Sequence, residues 1–164
     1  GCHWCDVKES WDENSHPIIS VEEIVKKSAG FSDCVVVTGG EPLMWNMNPL
    51  TKALKKLGKK THIETSGAYP LTGVWDWVCL SPKKAKLPIE DAYNHAHELK
   101  IIIYNNHDFK FAELEAKKVN KNAILYLQPE WGKREEMMPL MVDFIKKNPK
   151  WKISLQTHKY LNIP

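Results

Sequence analysis

The sequence predicts an α/β fold with a mostly parallel sheet, and three observations carry that prediction. Short apolar runs alternate with longer amphipathic stretches, the runs are nearly continuous in Val, Ile and Leu, and polar turns rich in Gly, Ser and Pro follow them. Strands of that composition joined by helices pair in parallel through right-handed crossovers. Two architectures satisfy the pattern, an open doubly wound sheet or a barrel, complete or partial. In both, ligands gather at the carboxyl ends of the strands.

In chain order, a polar opening from Asp6 to Ser20 precedes the first helix, expected over Val21 to Ala29, with Ser20 and Glu23 forming a capping box. The first strand is expected at Cys34 to Thr38. A helix over Pro49 to Leu57 follows, closed by Gly58, then strands at Thr61 to Glu64 and Trp77 to Leu80. Further helices are expected at Ile89 to His95, Phe109 to Lys118 and Lys133 to Lys147. They alternate with strands at Leu99 to Ile103, Ala123 to Gln128 and Lys152 to Gln156. Such strands read as buried on both faces. The chain shows no repeat, no low-complexity segment and no linker, so residues 1–164 are expected to form a single domain.

Composition narrows the function classes. Of 164 residues, 43% are hydrophobic, enough for a sizeable core, and 26% are charged, which suits a globular rather than a disordered chain. The 23 Lys and Arg against 20 Asp and Glu leave a net charge of +3. The lysine pairs Lys26-Lys27, Lys55-Lys56, Lys59-Lys60, Lys83-Lys84 and Lys146-Lys147 are scattered beside helix faces, so no nucleic-acid partner is expected. The longest apolar runs, Cys34 to Val37 and Ile101 to Tyr104, fall far short of the roughly 20 residues of a membrane span. No charged segment followed by an apolar one opens the chain, so the expected compartment is the cytoplasm. Four cysteines are too few for a disulfide scaffold, and Cys34 and Cys79 lie in apolar runs where a thiol acts as a small core residue.

Polar residues line the expected rim. Thr38-Gly39-Gly40-Glu41-Pro42 follows the first strand, Glu64-Thr65-Ser66-Gly67 the second and Ser81-Pro82-Lys83 the third, while Lys100 lies in the fourth and Gln128-Pro129 ends the fifth. The glycine pair permits a bend and a close main-chain approach to a ligand, or simply a tight turn. The Ser and Thr of the second turn either satisfy free backbone groups or face a ligand. Lys100 is equally readable as a rim ligand or as a lysine at a strand edge. Cys2-His3-Trp4-Cys5 is a C-x-x-C that fits half a zinc site, a redox pair or part of an iron-sulfur site. The nearest histidine, His16, belongs to neither a C-x-x-C nor an H-x-x-x-H spacing, and the polar stretch Asp6 to Asn14 does not suggest the helix start that a thioredoxin-like pair requires. Trp4, Trp11 and Trp45 lie near the expected mouth, where stacking on a ring competes with ordinary packing, and Met44 and Met47 read as gap fillers.

These residues carry a resemblance. Cys2-His3-Trp4-Cys5 is similar to the last two cysteines of the C-x-x-x-C-x-x-C motif of radical S-adenosylmethionine enzymes, and Thr38 to Pro42 to their glycine-rich motif. The ordered set of Cys5-Asp6, Thr38 to Pro42, Glu64 to Gly67, Ser81 to Lys83, Gln128-Pro129 and the ending Leu155 to Pro164 resembles the 7-carboxy-7-deazaguanine synthase family across nearly the whole chain. The resemblance implies a partial (β/α)6-type barrel, a 4Fe-4S cluster, S-adenosylmethionine and Mg2+. It implies reductive formation of a 5'-deoxyadenosyl radical and ring contraction of 6-carboxy-5,6,7,8-tetrahydropterin with loss of ammonia, on the route to queuosine and related deazapurines.

By the same resemblance, Cys2 and Cys5 would bind the cluster. Trp4, Thr38, Gly39, Gly40, Glu41, Ser66, Ser81, Lys83 and Gln128 would serve S-adenosylmethionine, with Glu41 holding its loop. Thr65, Gly67, His158 and the terminal carboxylate of Pro164 would face the pterin. A reduced flavodoxin or ferredoxin is the implied electron donor and a homodimer the implied assembly. The family's first cluster cysteine would stand four positions before Cys2, so an N-terminally incomplete chain lacking that cysteine and the first strand is expected. Val7 replaces a Thr or Ser near magnesium, which leaves the ion to substrate, water and help from Asp6 or Ser10. A glycyl-radical activating enzyme of the same superfamily is the enzymatic rival, although Asp6 to Asp33 lacks the extra cysteines it would carry. A zinc or redox binding module is the other alternative.

Overall fold

The computed structural model describes residues 8, 12 and 16–163. Helix α1 (Val21–Ser28) starts where Ser20 Oγ accepts the Glu23 amide at 3.1 Å, as the capping box requires. Strand β1 (Cys34–Val37), a 3-10 turn (Pro42–Met44) and helix α2 (Asn48–Lys56) follow. Gly58, at φ +76°, ends α2 by letting the Lys59 amide return to the Leu54 carbonyl at 3.1 Å. The same Lys59 is buried and donates to the carbonyls of Phe31 and Ser32, each at 3.0 Å, tying the end of α2 to the turn before β1.

Strands β2 (Lys60–Thr65) and β3 (Trp77–Leu80) lead to α3 (Glu90–His95), β4 (Glu98–Ile103) and α4 (His107–Ala116). Then come β5 (Ile124–Pro129), a 3-10 turn (Trp131–Lys133), α5 (Arg134–Lys147), β6 (Trp151–Ile153) and α6 (Thr157–Tyr160). The sequence pattern misses α6 and both 3-10 turns, which are too short to build a hydrophobic period. It also extends the last strand past Ile153, where only the Ser154 amide still bonds across, to the Leu127 carbonyl at 2.8 Å.

All five strand pairs are parallel, and the six strands stand in chain order β1-β2-β3-β4-β5-β6. A doubly wound sheet reverses direction at a switch point; this one never does, so its crossovers wind one way as in a barrel. β1 and β6 are the two edges among the described residues, which makes the sheet an open, partial barrel.

The helix-covered face holds the core: Leu80, Leu99, Ile101, Ile103, Leu127, Met137, Met141 and Trp151, all at most 1% exposed. Each fully buried aliphatic side chain there contributes about 2 kcal/mol. A smaller cluster of Leu43, Ile63 and Val78 packs with Met47 and Trp75. Met47 thus fills a gap as expected, whereas Met44 and Trp45 are exposed. The expectation of strands buried on both faces is corrected by the other face, where Val36 is exposed and His62, Glu64, Trp77, Glu98 and Lys100 are half-buried. A barrel-forming sheet keeps its concave side for ligands, and the concave residues of β4 alternate with the apolar ones that meet the helices.

Candidate active site at the carboxyl rim

The turns after β1 and β2 meet at one carboxylate. Glu41 accepts from the Leu43 amide at 3.1 Å and Thr65 Oγ1 at 2.6 Å through Oε1. Through Oε2 it accepts from the Ser66 amide at 2.8 Å and Ser66 Oγ at 2.5 Å. Four donors occupy this carboxylate, so Glu41 fixes the two turns against each other. Gly39 adopts φ +134°, a conformation that other residues rarely take, and among the described residues nothing lies within 4 Å of where a Cβ would stand on Gly39 or Gly40. The glycine pair is therefore an open backbone shelf on the rim, next to Thr38, which is exposed.

The other predicted rim residues divide into open and committed groups. Ser81 is buried at 7% exposure, and Lys83 donates to its carbonyl and its Oγ, each at 2.7 Å. Gln128 is buried at the end of β5, its Oε1 accepting from Ser154 Oγ at 3.2 Å. Thr65 is buried, with its hydroxyl shared between Glu41 and the Gly67 amide at 3.0 Å. Gly67, at φ +71°, has no room for a side chain, since a Cβ would stand 2.4 Å from Leu80 Cδ1. Its carbonyl accepts from the Ile89 amide at 2.9 Å, so both its backbone groups are engaged within the protein. His158 is exposed on α6. Cys2, Trp4, Cys5, Asp6, Val7, Ser10, Trp11 and Pro164 lie outside the described residues.

Beside Glu64 and Lys100, the concave face below the rim carries residues that the motif reading passed over. In-register partners His62 and Trp77 on β2 and β3, and Glu64, Cys79 and Glu98 on β2, β3 and β4, share this face. His62, Glu64, Trp77, Cys79 and Glu98, with Val36 and Ile63, line a cavity of about 170 Å³. Trp77 Nε1 donates to Glu98 Oε2 at 3.0 Å, and the Trp77 ring stacks on His97 at 5.1 Å. Lys100, 12% exposed, donates to Glu64 Oε1 at 2.8 Å. Burial opposes its ammonium, but Cys79, Glu64 and Glu98 outweigh that and hold its pKa above the ordinary lysine value. Burial also pushes the Cys79 thiol far up, so near neutrality the two carboxylates are the partners that count. The signal that could have found these groups was alternation: Glu98 and Lys100 interleave with Leu99 and Ile101.

A second cavity, of about 440 Å³, opens at the opposite end of the sheet among Trp77, Asn94, His95, His97, Asn120 and Asn122. Among the described residues, no group of three or more His, Cys, Asp or Glu converges as a metal site, and no helix is long and apolar enough to cross a membrane.

Comparison with known proteins gives the rim its setting. The chain is 63% identical, over all its 164 residues, to a 7-carboxy-7-deazaguanine synthase of Flavobacterium psychrophilum, covering 78% of that protein. The chain belongs to the 7-carboxy-7-deazaguanine synthase family. The synthase of Synechocystis is 48% identical over 99% of the chain and 78% of its own length. The crystal structure of QueE from Escherichia coli superposes with a TM-score of 0.81 at 27% identity, covering 95% of this chain and 80% of that one. No family model matches the chain. Membership in the 7-carboxy-7-deazaguanine synthase family makes the protein a radical S-adenosylmethionine lyase of queuosine biosynthesis, which implies a 4Fe-4S cluster and S-adenosylmethionine as cofactors and a pterin as substrate. The partial barrel expected from the sequence is the fold it shares with QueE.

Proposed function

We propose that this chain converts 6-carboxy-5,6,7,8-tetrahydropterin to 7-carboxy-7-deazaguanine with loss of ammonia, at the rim where Glu41 joins the first two turns. The observation that carries the reading is the 63% identity along the whole chain to a protein of that name. The residues present fit S-adenosylmethionine: an open glycine shelf supplies carbonyl acceptors for an ammonium, and hydroxyl and amide groups stand around it. Gly39 and Gly40 would hold the ammonium through their carbonyls, with Thr38 beside them and Trp4 near the adenine. Ser66, Ser81, Lys83 and Gln128 would take the ribose and carboxylate. When bound, the cluster on Cys2 and Cys5 and the S-adenosylmethionine supply the hydrogen-abstracting radical.

The protein's own work is placement. Glu41 is held by four donors, so the shelf and the Ser66 hydroxyl keep a fixed separation and need no reorganisation when ligands arrive. Thr65 and Gly67 are locked into the same turn and would meet the pterin from it, while His158 and the Pro164 carboxylate would close on it from the C-terminal segment. Magnesium is assigned to substrate and water, because Val7 offers no oxygen. An acidic flavodoxin or ferredoxin as electron donor suits the net charge of +3.

Anaerobic reconstitution of the full-length protein with iron and sulfide tests the reading, since Cys2 and Cys5 supply only two of the three thiolates that such a cluster takes. About four iron per chain is expected, with an EPR spectrum that changes when S-adenosylmethionine is added and ammonia released when the pterin follows. Stoichiometric zinc without iron, or an intact cluster that leaves the pterin unchanged, would overturn it.

A further inference from the structure

Glu41 ties the first two turns of the rim together, and Asp108 does the same for the next two. Asp108 stands in the first turn of α4 and is buried, 5% exposed. Its Oδ2 accepts from the amides of Tyr104 and Asn105, at 2.8 and 2.9 Å, in the turn that follows β4. Its Oδ1 accepts from the Lys84 ammonium, which comes from the turn after β3. Both amides use one oxygen, so the carbonyl of an asparagine would hold them as well, and a cap at this place needs no charge. What the carboxylate adds is Lys84. Compared with an asparagine, the ion pair adds little to stability, because burying the Asp108 charge offsets much of the attraction and the Lys84 side chain is 46% exposed.

The place of Lys84 in the third turn gives the pair its use. That turn carries three lysines, and each has a different partner. Lys83 donates to Ser81 at the end of β3, Lys84 reaches Asp108, and the Lys86 ammonium lies 3.7 Å from the centre of the Tyr69 ring in the segment after β2. The Lys86 amide closes the turn on the Lys83 carbonyl at 3.2 Å. Lys84 is the neighbour of Lys83, so an unheld Lys84 ammonium would repel it and compete for the same anion. We infer that Asp108, by drawing Lys84 to the fourth turn, fixes the third turn with the Lys83 ammonium beside Ser81 and so presents a preformed site to S-adenosylmethionine. Asp108 and Lys84 are then positioning residues that act through Lys83. The inference rests on the proposed assignment of Ser81 and Lys83 to that cofactor.

Calorimetric titration of the full-length, reconstituted protein with S-adenosylmethionine, in the absence of reductant, reads binding with no turnover. Asp108→Asn, which keeps the cap and removes the charge, is expected to weaken binding about 5- to 20-fold, and Lys84→Met by a similar factor, with melting temperatures within about 3 °C of native. The double variant should bind no worse than either single one, since both break the same link. Lys84→Arg still offers the carboxylate a cationic donor and should restore affinity to within about threefold. Lys83→Met should weaken binding more than either variant and sets the scale. Native affinity in Asp108→Asn and Lys84→Met, beside a weakened Lys83→Met, overturns the inference and leaves the cofactor assignment standing. Losses that add in the double variant, or a fall in melting temperature with native affinity, equally overturn it, because the pair would then be structural or its members independent. Native affinity in Lys83→Met defeats the cofactor assignment and this inference with it. Should Asp108→Asn not fold, native affinity in Lys84→Met is the overturning result.

Discussion

Strand β4 sets two chemistries back to back. Leu99, Ile101 and Ile103 turn to the helices and are at most 1% exposed, while Glu98 and Lys100, between them in sequence, turn to the concave face with a carboxylate and an ammonium. One side maximises apolar burial. The other holds buried charge that burial alone would penalise and that Glu64 and Glu98 compensate. The difference teaches that in this half-barrel stability and ligand recognition are assigned residue by residue along a single strand, so that each can be altered with limited effect on the other.

Substitutions on the helix-covered side should produce the largest loss of stability. Leu99→Ala is expected to cost about 3 kcal/mol, because the side chain is completely buried and its neighbours cannot collapse fully into the gap. Chemical denaturation would measure it, and a loss below about 1 kcal/mol would mean that this face is less tightly packed than its burial indicates. Glu41→Ala joins the two sides of the comparison, as it strands the Ser66 and Leu43 amides while leaving the core intact. It should lower stability by about 2 kcal/mol and S-adenosylmethionine affinity by more than about tenfold, read by denaturation and by titration respectively.

Lys100→Met should sharpen the contrast. The lost ion pair is half-exposed on the Glu64 side, and the gained apolar contact offsets it, so stability should move by less than about 1 kcal/mol. A loss as large as that of Leu99→Ala would erase the distinction between the faces.

The smallest effect lies at the far end of the strands, where Asp76 accepts from Lys55 and the Thr61 amide and joins α2 to the start of β2 and β3. The Lys55 and Thr61 hydrogen bonds hold its pKa down from 3.8 to about 2. Its folded pKa is depressed, so its contribution is complete above the unfolded value and fades as pH falls from about 4 through 2. Asp76→Asn should therefore lower the melting temperature slightly at about pH 6 and show a shallower acid decline, with no change in either ligand's binding.

The fold was largely legible because its elements obey strong patterns: apolar runs of strand length, a Ser20 cap and the Gly58 stop all appear where the structure uses them. The rim was legible because Gly39, Glu41, Ser66 and Ser81 belong to motifs of fixed order. The concave face was legible only in Glu64 and Lys100, since Glu98 looks like an ordinary charge and His62 and Trp77 like ordinary strand residues until strand register places them together. The motif names Gly67, and only packing shows that Leu80, Pro88 and Ala92 leave it no space for a side chain. Pairwise distances of this kind join residues far apart in sequence, and no local period encodes them.

The indole of Trp77 lines both cavities, the 170 Å³ chamber beneath the rim and the 440 Å³ hollow at the opposite mouth, and its His97 neighbour belongs to the second alone. In terms of permeation, Trp77 is the residue that the two hollows share. Replacing it with a small side chain would widen the way between them along the concave face, and water from the opposite mouth would then reach a reaction whose radical must be kept dry.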